Sequence, residues 1–214
     1  MPARYQPIQK NDLFNMLHRN SQKRFYIKDG TYFITTNAID GLSFFEEDLF
    51  CDVFVEDLWY AQSLKRFIIF AFKVNPEHAH LLIKPNEKHN YSEIMGSFKR
   101  NVSRDINTLM NGENFVRKTK GDDSNCRLWE NDPHFIRHIR KLKSIQRQFF
   151  DKYVHDHPFS KFNWQKSFNH HYIENKRDFI NHVNYIKKQY IKHDLGVNKY
   201  CFINEEAINK ILTA

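Results

Sequence analysis

The sequence predicts an α+β fold in which helices pack on an antiparallel sheet. Three observations carry this reading. Two β-rich runs are separated by a short break, the segments around them repeat apolar residues at helical spacing, and an earlier β-branched run follows a turn signal.

The first element is a strand. Residues 24–39 read RFYIKDGTYFITTNAI, with aromatic and β-branched residues around Lys28-Asp29-Gly30 and a strand-rich tail. Residues 44–66 predict an amphipathic helix, because Phe45, Leu49, Val53, Leu58 and Ala61 recur at helical intervals, with acids early and bases late. RFIIFAFKV (66–74) and HAHLLIKP (78–85) then read as adjacent strands joined across Asn75-Pro76-Glu77.

Residues 91–111 predict a second helix, with Ser92 as its cap and Ile94, Phe98, Val102, Ile106 and Leu109 on one face. Residues 112–128 are polar and read as a surface loop. Residues 133–157 form a strongly basic helix with Phe135, Ile139, Leu142, Ile145 and Phe149 on its stripe. A short stretch, 159–173, leads to a final long helix over 175–193 that buries Phe179, Val183, Ile186 and Tyr190.

The chain has 214 residues, 41% of them hydrophobic, enough for one substantial core. Six glycines and six prolines leave little for a linker, so residues 1–214 are expected to form a single domain. A formal charge of +8 favours a polyanionic partner. No apolar run reaches the roughly 20 residues of a spanning helix, and the start MPARYQPIQKND lacks a signal-peptide core. The expectation is a soluble, cytoplasmic protein with no membrane partner. Cys51, Cys126 and Cys201 are far apart, which argues against a disulfide framework and a thiolate zinc site. Any metal ligands are to be sought among the imidazoles and oxygens.

PEHAHLLIKP (76–85) raises that question directly. On a strand, His78 and His80 share a face about 6–7 Å apart while Ala79 points away, so two imidazoles can converge on one ion or simply decorate a polar face. His155 and His157 have the same spacing, but Pro158 argues against a regular strand there. His134 and His138, four apart on a helix, sit in a basic run that repels cations. Tyr185 and Gln189 are one helical turn apart, and they either complete a site with the first pair or are ordinary packing and surface residues.

The same residues resemble a known family. PEHAHLLIKP is similar to the histidine–hydrophobic–histidine (HUH) signature of single-tyrosine, IS200-like transposases. The stretch WQKSFNHHYIENKRDFINHVNYIKKQYIKHDLG resembles the nucleophile region of the REP-associated tyrosine transposase branch, in Trp164-Gln165, Phe168-Asn169-His170-His171 and Asn184-Tyr185-Ile186. YIKDGTYFITTN resembles that family's first strand. Two departures stand out. The usual Asn-Pro-Val-Lys-x-Gly stretch after the tyrosine reads QYIKHDLG here, which predicts a longer helix, and residues 113–160 read as an insertion carrying the basic helix.

The resemblance implies a ferredoxin-like βαββαβ sandwich with an antiparallel sheet, the histidines on a central strand, and the nucleophile on a C-terminal helix. It implies Tyr185 as nucleophile and His78, His80 and Gln189 as ligands of Mg²⁺ or Mn²⁺. The implied activity is single-stranded DNA cleavage and strand transfer at hairpins through a 5′-phosphotyrosine, by a monomer or a homodimer. Phosphate contacts are then expected from Lys99, Arg100, Arg104, Arg137, Arg140, Lys141, Lys143, Lys187 and Lys188, with an exposed Trp164 stacking a base. A non-cleaving, sequence-specific DNA-binding protein and a phosphodiesterase without a covalent step are the alternatives.

Overall fold

The computed structural model describes residues 26–115, 132–154 and 156–213. Its elements in chain order are β1 (Tyr32–Asn37), α1 (Asp48–Lys65), β2 (Ile68–Asn75), β3 (His78–Lys84), α2 (Tyr91–Asn111), α3 (Pro133–Lys152), β4 (Asn169–Tyr172), α4 (Lys176–Lys187), α5 (Gln189–Lys192), β5 (Cys201–Ile203) and α6 (Glu205–Thr213).

The strands form one antiparallel sheet in the order β4-β1-β3-β2-β5. β1-α1-β2-β3-α2-β4 is the βαββαβ succession of a ferredoxin-like sandwich, with β3 inserted between β1 and β2 and the α1 crossover carried over one face. β5 extends the sheet beyond β2. Both edge strands are short, three and four residues, which limits the unpaired backbone presented to other chains.

Alternation along the strands sorts side chains to two faces. Ile34, Leu81, Ile83 and Val74 face α1 and α2, where they pack with Phe50, Phe54 and Phe98. Leu82, Phe70 and Ala71 face the other way, against Phe179, Val183 and Ile186 of α4 and Ile208 of α6. A register shift between Ile69 and Ala71 lets the consecutive Phe70 and Ala71 serve the same face. The basic helix α3 lies outside α1 and α2, anchored on them by Leu142, Ile145 and Phe149.

Local chemistry sets the element ends. α1 begins at Asp48, after a 3₁₀ turn over Phe44–Glu46, and the Glu47 side chain accepts from the Leu49 amide. α2 is capped by Asn90, which exchanges hydrogen bonds with Glu93 in a capping box, so Ser92 is not the cap. Gly112 ends α2 in the left-handed conformation (φ +69°). α3 starts with Asp132 as cap and Pro133 in its first turn. It stops at Lys152, short of the expected 157, where Lys152 and the Tyr153 hydroxyl are both tied to Glu47.

The helix expected over 175–193 is two segments. Lys188 (φ −94°, ψ 0°) leaves helical geometry and separates α4 from α5. β4, β5 and α6 are elements that the local sequence pattern does not predict.

Candidate active site

The face of the sheet covered by α4 and α5 carries the polar side chains. His78 and His80 project to it from β3. Their register partners on β2 are Asn75 and Lys73, and on β1 Asn37 and Thr35.

The two imidazoles converge. Their Nε2 atoms are 3.0 Å apart. His78 Nδ1 lies 2.9 Å from Glu77 Oε1, and His80 Nδ1 lies 2.9 Å from Thr35 Oγ1. Because a carboxylate only accepts, the His78 proton is assigned to Nδ1, which leaves Nε2 as an acceptor; the Asn75 amide donates to it at 3.0 Å. The Thr35 hydroxyl can accept from or donate to His80 Nδ1; when it accepts, both Nε2 lone pairs face the same point, and when it donates, His80 Nε2–H bridges to His78.

Gln189 is 1% exposed, and its Oε1 accepts from the same Asn75 amide at 3.3 Å. Asn75 Oδ1 is buried without a hydrogen-bond partner among the described residues. Burial, then the neighbouring His78, pushes His80 down to about 3. Burial also lowers His78, against the opposing pull of Glu77. Both rings are therefore neutral at physiological pH, the form that ligates a metal.

Tyr185, 38% exposed on α4, sets its ring 5.2 Å from that of His80 and edge-on to Phe33 at 5.7 Å. Gln189 Nε2 donates to the Tyr185 carbonyl at 3.3 Å, so the residue that reaches the histidines also fixes the turn that carries the phenol. Lys192 Nζ is 3.4 Å from the phenol oxygen. His193 closes the far side: its Nδ1 is 3.7 Å from Glu77, its ring 5.0 Å from His78, and its Nε2 is buried without a partner among the described residues.

The four residues expected at the centre are thus brought together. The DNA-contact set is not. Lys187 and Lys188 are exposed at the end of α4, beside Tyr185, and Arg100 is exposed on α2. Lys99 is buried, and its ammonium donates to the carbonyls of Gln165 and Ser167 at 2.8 and 2.9 Å. Arg104 is held by Asp105 at 2.8 Å. Arg137, Arg140, Lys141 and Lys143 are exposed on α3, with the α1/α2 layer and the sheet between them and Tyr185. Trp164 is not exposed: at 9% accessibility it packs among Phe45, Phe54 and Phe162 and donates its indole N–H to the Lys99 carbonyl at 3.1 Å, so it cannot stack a base.

Of the competing histidine pairs, His138 is buried against Asp57 at 3.3 Å while His134 is exposed, and His155 lies outside the described residues. Thr35, Asn75, Glu77, Lys192 and His193 belong to the site and were missed. Glu77 abuts the motif, and Lys192 and His193 follow Gln189 by about one turn, so spacing could have found them. Thr35 is 45 residues from His80 and gives no local signal.

Residues 53–131 match the family described as transposase IS200 like. The matched segment contains His78 and His80 and ends before Tyr185 and Gln189. The chain thus resembles the IS200-like transposases, and the match supports a transposase-like, DNA-processing class. Among solved structures, a REP-associated tyrosine transposase bound to a REP hairpin is similar at 18% identity, over 90% of this chain and 87% of that one, with a TM-score of 0.47. A protein from Deinococcus radiodurans described as a transposase is 12% identical over 79% of this chain and 97% of its own, with a TM-score of 0.41. No curated protein matches the sequence. No helix among the described residues is long and apolar enough to cross a membrane.

Proposed function

We propose that this chain is a metal-dependent, single-stranded DNA endonuclease and strand transferase that acts at DNA hairpins through a 5′-phosphotyrosine. The observation that carries the reading is Tyr185 on a helix laid across the His78–His80 pair, with Gln189 one turn later entering the same pair. The hairpin substrate rests on the sequence resemblance.

The residues present fit a divalent ion. Two neutral imidazoles turn their Nε2 atoms toward one point, each oriented through its other nitrogen, and the Gln189 amide oxygen and Asn75 Oδ1, which has no partner among the described residues, lie beside them. His78, His80 and Gln189 would hold Mg²⁺ or Mn²⁺, which supplies charge neutralisation at a scissile phosphate.

Tyr185 attacks phosphorus with its phenol oxygen. The new bond is O–P, the bond that breaks is P–O3′, and the phenol proton is delivered by way of solvent to the departing 3′-hydroxyl. The Lys192 ammonium stabilises negative charge gathering on the attacking oxygen. The 5′-phosphotyrosine retains the phosphodiester energy, so a second 3′-hydroxyl reverses the step and joins strands. Lys187 and Lys188, exposed beside the nucleophile, contact the backbone electrostatically.

Incubation with Mn²⁺ and a labelled single-stranded hairpin library, resolved on a denaturing gel with mass spectrometry of the adducted peptide, tests this reading. The expected result is an adduct on Tyr185 that disappears with chelator. Retained DNA binding with no adduct, on folded and metal-loaded protein, would replace it with a non-cleaving DNA-binding function.

A further inference from the structure

A second cluster of donors lies on the same sheet face, where β4 meets the start of α4. His171 Nε2 is 2.9 Å from Asp178 Oδ2, and His182 Nδ1 is 3.1 Å from Asp178 Oδ1. The two imidazoles lie nearly parallel, 4.8 Å between centroids and 23° between planes. All three donor atoms fall within 4.8 Å of one another.

The cluster is prearranged. Asp178 and His182 are four apart on α4 and so share its face, while His171 reaches them from the neighbouring strand. The Glu174 amide donates to Asp178 Oδ2 at 3.1 Å, and the Asp178 amide is held by Asn175 at 2.9 Å, which fixes the carboxylate and leaves Oδ1 to face His182. Burial opposes the Asp178 charge, but the hydrogen bonds from His171 and Glu174 outweigh it and lower its pKa. His182 is backed by the Phe33 ring at 4.6 Å, and Phe33 in turn separates it from His80 at 5.2 Å.

We propose that His171, Asp178 and His182 form a second metal site, independent of His78 and His80, for one borderline divalent transition ion. Two imidazoles and one carboxylate are the donor set that zinc and cobalt favour over magnesium. His171 is 48% exposed on its side chain, so the ion has an open approach and room for water to complete its coordination. Binding requires each neutral imidazole to carry its proton on the ring nitrogen turned away from Asp178, so that His171 Nε2 and His182 Nδ1 offer lone pairs in place of their contacts to Asp178. The bound ion ties edge strand β4 to α4 three residues before Tyr185.

The test does not depend on DNA cleavage. Chelator-treated protein carrying His78→Ala and His80→Ala, its fold checked by circular dichroism, is titrated with Zn²⁺ by calorimetry and with Co²⁺ by visible absorption. The expected result is one bound equivalent, weakened at least about 100-fold by adding Asp178→Asn, and likewise by His171→Gln, whose exposed position spares the core. No Zn²⁺ binding by the His78/His80 variant, or unchanged affinity after both further substitutions, would show a hydrogen-bonded brace only and overturn the proposal.

Discussion

The Nε2 atoms of His78 and His80 stand 3.0 Å apart, with the opposite ring nitrogens engaged by Glu77 and Thr35. Two acceptor lone pairs at that separation repel each other unless a proton or a cation lies between them. Replacement of either histidine by Ala is expected to abolish Mn²⁺ binding beside Tyr185 and to leave the His171/Asp178/His182 cluster untouched. Thr35→Val leaves every proposed ligand in place but frees the His80 ring, and is expected to weaken Mn²⁺ about 10–100-fold by calorimetry. Unchanged affinity in Thr35→Val would mean that ring orientation is set by packing alone.

Tyr185→Phe separates chemistry from structure. The phenol oxygen is partnered by the exposed Lys192, so its removal is expected to change stability by no more than about 0.5 kcal/mol. Hairpin binding should persist, while covalent adducts on denaturing gels should vanish. Adducts that survive the substitution would assign the nucleophile elsewhere.

Much of this arrangement was legible because its determinants are local. Alternation on β3 puts both histidines on one face, and the four-residue spacing from Tyr185 to Gln189 brings the two to the same site even though Lys188 breaks the helix between them. What escaped depends on long-range pairing or on weak pattern. β4 reads NHHY, with polar residues at three of its four positions, and is a strand only because β1 supplies its ladder. β5 is three residues long and exists as an addition to β2. Trp164 and Lys99 look like DNA contacts by residue type, yet the Trp164 backbone bridges Ala38 and the Lys99 ammonium secures the segment that follows the tryptophan.

That correction makes its own prediction. Trp164 fills space among Phe45, Phe54 and Phe162, and its indole satisfies the Lys99 carbonyl. Trp164→Ala is expected to cost about 3–5 kcal/mol in urea unfolding, the usual range for removing a large buried aromatic. A stacking residue would behave in the opposite way, with little change in stability and a clear loss of single-strand affinity.

The basic helix α3 is pinned to the fold in part by a buried ionisable cluster, and its docking is expected to depend on pH. His138 of α3 lies 3.3 Å from Asp57 of α1 and 3.9 Å from Asp105 of α2, beneath the parallel ring of Tyr60 at 4.2 Å. Burial opposes a charge on His138, but its bonds to Asp105 and Asp57 prevail and raise it to about 9. Burial and the adjacent Asp105 also push Asp57 upward, so the folded cluster binds more protons than the unfolded chain. The stability contributed by His138 is therefore complete below about pH 6.5, its unfolded value, and is lost as pH rises through about 9; the loss is at most about 3 kcal/mol. Melting temperatures followed by circular dichroism should fall several degrees further between pH 6 and pH 9.5 in the native protein than in His138→Gln. Equal falls in the two proteins would show that the helix is held by Leu142, Ile145 and Phe149 without help from the buried charge.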